Sequence, residues 1–241
     1  MKTIKYLLSA AMLTFVATAS AQFANSGSSG GGFSLGNAQT EDYSRFKVSF
    51  ATSSFSFDTN YYSDEPESLK GVSVEYLYGK HITQNLPLFI EYGGNLTWGI
   101  SKEEFDDKDG SYTENLESTL NVMSLTIPIN IAYKFSVNDD FSIEPHVGVG
   151  ARFNVLANYS YSYDLYYKGE FEEDYEKSYS FFDKDYMGKD GQWNRFQMVG
   201  QAGIGFSFQK FYIGYEYSWN FMELAKKVKL NTNYISVGYN F

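Results

Sequence analysis

The sequence predicts an all-β fold, an antiparallel up-and-down β-barrel of eight strands, and three observations lead to this prediction. From about Arg45 onward, apolar and polar residues alternate with a period of two, as they do in strands that have two different faces. The connections between the predicted strands are alternately long and short. Aromatic residues on the apolar face concentrate near the strand ends.

The stretch PLFIEYGGNLTWGI, residues 87–100, shows the period of two most clearly. Its apolar face carries Leu88, Ile90, Tyr92, Leu96, Trp98 and Ile100, and its other face carries Glu91, Gly93, Asn95, Thr97 and Gly99. The same pattern predicts seven further strands, at about 45–52, 70–79, 120–135, 141–156, 194–208, 211–221 and 231–241. Strands of this length suit the tilted crossing of a bilayer, which takes about 9 to 11 residues.

The connections support a membrane barrel over other all-β folds. Long connections are predicted at 53–69, 101–119, 157–193 and 222–230, and short ones at 80–87, 136–140 and 209–210. Short turns at one end and long loops at the other are typical of outer-membrane barrels. A Greek-key sandwich or a lipocalin gives no reason for such regular alternation.

The aromatic residues of the apolar face fall into two groups, which predicts that this face contacts lipid. Near the short turns lie Tyr78, Tyr133, Phe135, Phe141, Phe208, Phe211, Tyr239 and Phe241, and near the long loops lie Trp98, Phe153, Phe196, Trp219 and Phe221. Two aromatic girdles mark the two interfaces of a membrane barrel. Aromatic residues of an ordinary core would be scattered along the strands.

The polar face then lines the barrel interior and carries charges of both signs. The interior residues predicted to form a charge network are Lys47, Glu75, Glu91, Lys134, Glu144, His146, Arg152, Arg195 and Glu216. An eight-stranded barrel is only wide enough for side chains to fill it. Four acidic and four basic residues therefore predict ion pairs and a plugged lumen, with a narrow passive channel for small solutes as the alternative.

Two irregularities are expected in the predicted strand 120–135. Pro128 has no N–H for a strand partner, so a bulge or a bound water is expected beside it. The apolar phase also shifts between Val122 and Met123. This shift predicts that regular pairing within the membrane begins near Met123.

The chain divides into three predicted regions. Residues 1–21 have two lysines, an apolar run and the small-residue site Ala19-Ser20-Ala21, which together predict a cleaved signal peptide. Residues 22–43 are rich in Ser and Gly and predict a flexible leader. Residues 44–241 form the predicted barrel domain.

Composition excludes several classes of function. The formal net charge is -10 with no basic patch, which argues against nucleic acid as a partner. The chain has no Cys and two His, so we expect no metal site and no cofactor. The two histidines, His81 in a short turn and His146 low in the lumen, are poorly placed for catalysis at the outer rim. We expect no catalytic residues, and an outer-membrane enzyme is the weaker alternative.

The last strand and two internal segments resemble sequences of known proteins. Ile235, Val237, Tyr239 and Phe241 alternate up to the last residue and resemble the C-terminal signal that the outer-membrane assembly machinery recognises. The segments LTIPINIAYKF and IEPHVGVGARF are similar to those of small barrels common in Bacteroidota, often described as PorT-like, and the strand count resembles the OmpA and OmpX type. The resemblance covers about residues 44–241. It implies a monomer in the bacterial outer membrane, surrounded by outer-membrane lipid, with the long loops extracellular.

The longest predicted loop is the best candidate for a binding function. Residues 158–191 hold eight Tyr and nine acidic residues against four Lys. Tyrosine offers rigid, amphipathic contact area, so this segment predicts recognition of an extracellular protein or glycan. The alternative is a solvated loop that only shields the surface.

Overall fold

The computed structural model describes residues 41–57, 68–83, 86–109, 112–167 and 170–241. The predicted signal peptide and the predicted leader up to residue 40 lie outside the described residues. The described elements, in chain order, are β1 (Tyr43–Phe57), β2 (Leu69–His81), β3 (Leu88–Asp109), β4 (Tyr112–Tyr133), β5 (Phe135–Ser136), β6 (Phe141–Tyr167), β7 (Glu170–Ser180), α1 (Lys184–Gly191), β8 (Phe196–Phe208), β9 (Phe211–Asn220) and β10 (Val228–Asn240).

Eight of these strands form a closed ring, which confirms the predicted fold. Their order around the ring is β1, β2, β3, β4, β6, β8, β9 and β10, and β10 pairs with β1 to close it. Every neighbouring pair is antiparallel. The described part of the chain has no helix with the length and apolar content needed to cross a membrane.

The wall of the barrel has one charged and one apolar face. On β1, Lys47 and Ser49 are buried, whereas Val48 and Phe50 between them are exposed by 42% and 53%. The period of two seen in the sequence therefore separates interior from exterior, as strand geometry requires. Exposed aliphatic side chains continue around the wall, for example at Ile129, which is 49% exposed.

The two ends of the barrel differ. One end, the short-turn end, has the connections β2–β3, β4–β6 and β8–β9. The last of these is the two-residue turn Gln209-Lys210, in which Gln209 has a left-handed φ of 53°. The other end, the long-loop end, carries the remaining connections together with α1.

Two of the predicted long loops contain strands, which corrects the sequence-based prediction. β3 and β4 continue through most of 101–119, β6 continues to Tyr167, and β7 pairs with β6. These extensions form a four-stranded sheet beyond the ring, in the order β3, β4, β6, β7, which we call the projecting sheet. The segments were predicted as loops because Ser, Tyr and charged residues occur on both faces, which weakens the apolar alternation.

A β-bulge marks the base of the projecting sheet. The pairing of β4 with β6 shifts between Met123 and Ser124, and Val155 is the extra residue on β6. The break in apolar phase that the sequence shows near Met123 coincides with this bulge. The inward-facing residues of β6 therefore change from even to odd numbers, from Asn154 below the bulge to Ala157 above it.

Of the two adjustments expected at Pro128, a bulge or a bound water, the bulge does not occur, because the register is the same on both sides of Pro128. The ladder between β3 and β4 runs through Tyr92 and Ile129 and resumes at Asn95 and Thr126. Pro128 lies in the interruption between these pairs, so the missing N–H falls where the ladder is already open.

Candidate functional sites in the barrel interior and the projecting sheet

The structure places eight of the nine ionisable residues predicted for the interior in buried positions. These residues are Lys47, Glu75, Glu91, Lys134, Glu144, His146, Arg152 and Glu216. Arg195 is the exception, because it is exposed and its guanidinium lies 3.9 Å from the ring centroid of Phe182. β8 begins only at Phe196, so Arg195 belongs to the preceding loop and not to the barrel wall.

Arg45 provides the interior positive charge that the sequence analysis assigned to Arg195. Its side chain is 2% exposed, and its guanidinium forms an ion pair with Glu144. Its Nη1 lies 3.6 Å from Glu91 Oε1, and its Nε donates to Asn240 Oδ1 at 2.7 Å. The period of two that predicts Lys47 to face inward also predicts Arg45 to do so, and this was the signal missed.

Glu144 is the most heavily paired carboxylate of the interior. Besides Arg45, it accepts hydrogen bonds from Ser142 at 3.0 Å and from Ser207 at 2.7 Å. Lys134 Nζ lies 3.8 Å from Glu144 Oε1. A buried carboxylate needs several partners, because leaving it unpaired away from solvent would be costly.

Two tyrosines that sequence reasoning also missed complete this group. Tyr43 donates from its hydroxyl to Glu91, and its ring centroid lies 3.3 Å from Lys134 Nζ. The ring centroid of Tyr212 lies 3.9 Å from the Arg45 guanidinium carbon, within the range of a cation–π contact. Tyr212 fits there because Gly205 and Gly214 have no Cβ, which would overlap its ring atoms.

A second group of ion pairs lies further from the short turns. Lys47 Nζ is 2.8 Å from Glu75 Oε2, and these two residues face each other directly across β1 and β2. His146 Nε2 lies 3.0 Å from Glu216 Oε2. Glu75 also accepts from Asn95 Nδ2 at 3.2 Å. Each of the four predicted interior carboxylates therefore has a basic or histidine partner.

Arg152 differs from the predicted ion pairing. Its guanidinium donates to Ser218 at 3.1 Å, to Asn220 at 3.3 Å and to Thr126 at 3.4 Å. These partners are neutral, so Arg152 crosslinks three strands through hydroxyl and amide groups.

The interior leaves little free space. A cavity of about 10 Å³ lies beside Arg152 and is bounded by Glu75 and Glu216, which gives room for roughly one water molecule. The short-turn end is filled by Tyr43 and by Phe89, which is fully buried. Charged and aromatic side chains thus occupy the cross-section that an open channel would need.

An apolar cluster covers the interior at the long-loop end. Its buried members are Leu69, Val122, Ala157, Trp193, Leu224, Ala225, Val228 and Leu230. Trp193 and Leu224 come from connecting segments, and the Trp193 ring stacks on Phe181 at a centroid distance of 4.5 Å. The loop backbone is tied down as well, because Trp193 N–H donates to Phe181 O at 2.9 Å.

The projecting sheet has two chemically different faces. Strand register places residues of its four strands in rows, and one such row is Phe105, Leu116, Tyr163 and Tyr175. The next row toward the barrel is Glu103, Ser118, Tyr161 and Lys177, and the third is Ser101, Leu120, Tyr159 and Tyr179. We call this the tyrosine face. The opposite face carries Ser160, Ser162, Asp164, Asp174, Glu176, Glu117 and Glu104.

Lys177 already lies among the rings of the tyrosine face. Its Nζ is 5.1 Å from the Tyr179 ring centroid. Hydrogen bonds to Tyr179, and then to Tyr175, raise the pKa of Lys177 above its ordinary value. The Tyr161 ring lies 5.9 Å from Tyr175 and 6.1 Å from Tyr179, so three aromatic rings are grouped beside one ammonium.

The residues of the predicted C-terminal signal lie on the exterior. Ile235, Val237, Tyr239 and Phe241 are exposed by 61, 59, 37 and 69%. The last strand is nevertheless held to the first, because Phe241 N–H donates to Ser44 O at 2.9 Å.

Both histidines contact other residues of the chain. His81 Nε2 lies 2.8 Å from Leu86 O in the β2–β3 turn, and His146 is paired with Glu216 inside the barrel. Within the described ranges, no three His, Asp or Glu side chains are grouped as a metal ion would require.

No family model and no curated protein sequence matches this chain. Among solved structures, Ail, the attachment invasion locus protein of Yersinia pestis, is 15% identical with a TM-score of 0.36, over 83% of this chain and 99% of that chain. Neisserial surface protein A is 14% identical with a TM-score of 0.39, over 83% and 95%. The outer membrane enzyme PagL is 11% identical with a TM-score of 0.31, over 81% and 98%. The function of this chain is therefore inferred from its own geometry.

Proposed function

We propose that the protein is an integral outer-membrane β-barrel without enzymatic activity, closed along its interior, which acts in recognition at the cell surface through its projecting sheet. The observation that carries the proposal is the inverted placement of side chains, with charges inside and apolar residues outside. A PorT-like identity and an origin in Bacteroidota remain predictions.

The exterior of the ring favours lipid over water as its surroundings. Val48, Val74, Ile127 and Val237 are each more than 40% exposed, and comparable side chains continue around the wall. A soluble monomer rarely exposes so extensive an apolar surface. A closed ring also pairs its backbone groups between strands, which is what a strand protein must do in hydrocarbon.

The orientation and partners follow from the general organisation of such barrels. Short turns face the periplasm and long loops face the exterior in outer-membrane barrels. The projecting sheet would then stand outside the cell, in contact with extracellular protein or glycan. The barrel assembly machinery would insert the protein as a monomer, and outer-membrane lipid would surround the ring.

Surface labelling tests this topology. The chain has no native Cys, so single-cysteine variants carry no background. We expect a membrane-impermeant maleimide to label Ser178→Cys in β7 on intact cells, and Asp139→Cys in the β4–β6 turn only after the outer membrane is permeabilised. Ser207→Cys, which is buried in the interior, is the control for nonspecific entry. If Asp139→Cys but not Ser178→Cys is labelled on intact cells, the barrel has the opposite orientation to the one proposed.

The alternative of a narrow passive channel has a separate test. Because ion pairs and the apolar cluster occupy the interior, we expect planar-bilayer recordings of the protein to show little conductance. Large and steady conductance would contradict the closed interior and make the channel the better proposal.

The C-terminal residue is expected to act in assembly more than in stability. Phe241 is 69% exposed and lies beyond the end of β10. Deleting it should lower the amount inserted in cells while leaving the refolding yield in detergent nearly unchanged. An equal loss in both settings would mean that Phe241 contributes only packing, for example against the Tyr239 ring, whose centroid is 5.1 Å away.

A further inference from the structure

The acidic charge of the protein is concentrated in the two hairpins that form the projecting sheet. Residues 101–119 hold seven acidic residues and two lysines, and residues 158–180 hold six acidic residues and two lysines. Together they carry a net charge of -9, out of a formal net charge of -10 for the whole chain. The rest of the chain is nearly balanced, so the projecting sheet is a local source of negative potential.

The tyrosine face combines this potential with exposed rings. In the row of the tyrosine face that lies farthest from the barrel of the three defined above, the rings of Phe105 and Tyr175 are exposed by 61 and 46%, and Leu116 is exposed by 40%. Four strands spaced about 4.8 Å apart give a row about 15 Å wide, which is the length of four to five extended residues. The face therefore offers a largely aromatic surface about as wide as a short extended peptide is long.

The chemistry of the face is already illustrated by Lys177. Its ammonium lies beside the Tyr179 ring, with Tyr161 and Tyr175 adjacent. A cation is attracted to the negative face of an aromatic ring, and guanidinium groups stack on such rings as well. Tyr159 and Tyr163 extend the same rows and lie on the same side of β6.

We propose that the tyrosine face binds an extended polypeptide rich in arginine and lysine, whose cations lie over the tyrosine rings while the surrounding carboxylates attract it from a distance. The inference rests on the proposed function, because it requires the sheet to be exposed at the cell surface. A second copy of this chain is a poor occupant, since two sheets of this charge repel each other. A neutral glycan would use the rings but gain nothing from the charge.

The test uses the full chain in nanodiscs of zwitterionic phospholipid, which do not themselves attract basic peptides. The probe is a fluorescent decapeptide of alternating Arg and Ser, and the control probe replaces each Arg with Glu. Binding is measured by fluorescence anisotropy at low and at high salt. Tyr161→Leu combined with Tyr175→Leu removes two rings of the tyrosine face. Tyr166→Leu, on the same strand β6 but on the opposite face, is the matched control.

We expect the Arg peptide to bind, the Glu peptide not to bind, and high salt to weaken binding. The double variant should bind the Arg peptide about tenfold more weakly, because two ring contacts are lost, and Tyr166→Leu should bind it within about twofold of the parent. Equal weakening by both variants, or no effect of either, would overturn the assignment to the tyrosine face. Ring-dependent binding of a neutral oligosaccharide without binding of the Arg peptide would identify a glycan site instead.

The surface role of the projecting sheet and the class of its partner can be contradicted independently. If the Arg peptide does not bind but Ser178→Cys is labelled on intact cells, the surface role stands and the partner class is wrong. If Ser178→Cys is not labelled, the surface role fails whatever the peptide does in nanodiscs.

Discussion

Replacing Arg45 with alanine is expected to lower the free energy of unfolding by about 3 to 5 kcal/mol, because it removes the guanidinium that pairs with two buried carboxylates. Glu144 loses its guanidinium partner, and Glu91 loses the charge 3.6 Å away. Urea unfolding in lipid vesicles, followed by tryptophan fluorescence, measures this change. No other single substitution proposed for this protein is expected to cost more.

Two variants control the interpretation of Arg45→Ala. Arg195→Ala removes an arginine that is exposed and belongs to a loop, so it should change the free energy of unfolding by less than about 1 kcal/mol. Arg45→Ala in a Glu144→Gln background should cost less than in the parent, because the neutral amide does not need the guanidinium. Equal costs for Arg45→Ala and Arg195→Ala would contradict the interior ion-pair network.

Placing a charge on the exterior of the ring is expected to have the second largest effect. Ile129 lies near the middle of the portion of β4 that belongs to the ring and is 49% exposed. Ile129→Arg should reduce stability by about 2 to 4 kcal/mol if lipid surrounds this surface, since arginine near the bilayer midplane must be dehydrated. Refolding into vesicles at graded urea concentrations measures the difference.

Leu116→Arg is the matched control for Ile129→Arg. Leu116 is on the same strand, is 40% exposed, and belongs to the projecting sheet. Arginine there would remain in water and should cost less than about 1 kcal/mol. A similar cost at both positions would mean that the two surfaces face the same solvent.

The closed ring could be predicted from the sequence because strands buried on one face leave a strong signal. Val48 and Phe50 alternate with Lys47 and Ser49, which separates the two faces of the strand. The alternating connections and the two aromatic groups then indicate that the apolar face points outward. The eight-stranded fold follows from repeating the pattern with alternately long and short connections. The pairing partners, such as Lys47 with Glu75, depend on strand register and could not be obtained from one sequence.

The interior was predicted incompletely at the strand ends, where sequence patterns are weakest. Arg195 was placed in the predicted strand 194–208, but β8 begins only at Phe196, so a boundary error of two residues explains its wrong assignment. Arg45 lay within the predicted strand 45–52 and has the same parity as Lys47, so it was missed although the pattern indicated it.

The projecting sheet could not be recognised from apolar periodicity, because only the row nearest the barrel, at Leu120, packs against the apolar cluster. Tyr161 and Tyr163 alternate with Ser160 and Ser162, but tyrosine is amphipathic and serine is common in loops. Strand pairing in this sheet comes from the continuation of ladders that begin in the ring. Such continuation is a property of the folded structure and leaves little trace in local sequence.

The most direct test of the membrane-barrel account is to measure whether lipid or water surrounds the exterior of β4. Nitroxide labels on single cysteines at Leu125, Ile127, Ile129 and Ile131 report accessibility to oxygen, which dissolves in lipid, and to a water-soluble nickel complex. In vesicles, we predict high oxygen accessibility and protection from nickel at all four positions, and the reverse at Glu117 and Thr119 on the same side of the same strand. Free access of nickel to Ile127 and Ile129 would contradict the account, because it would place the apolar exterior in water.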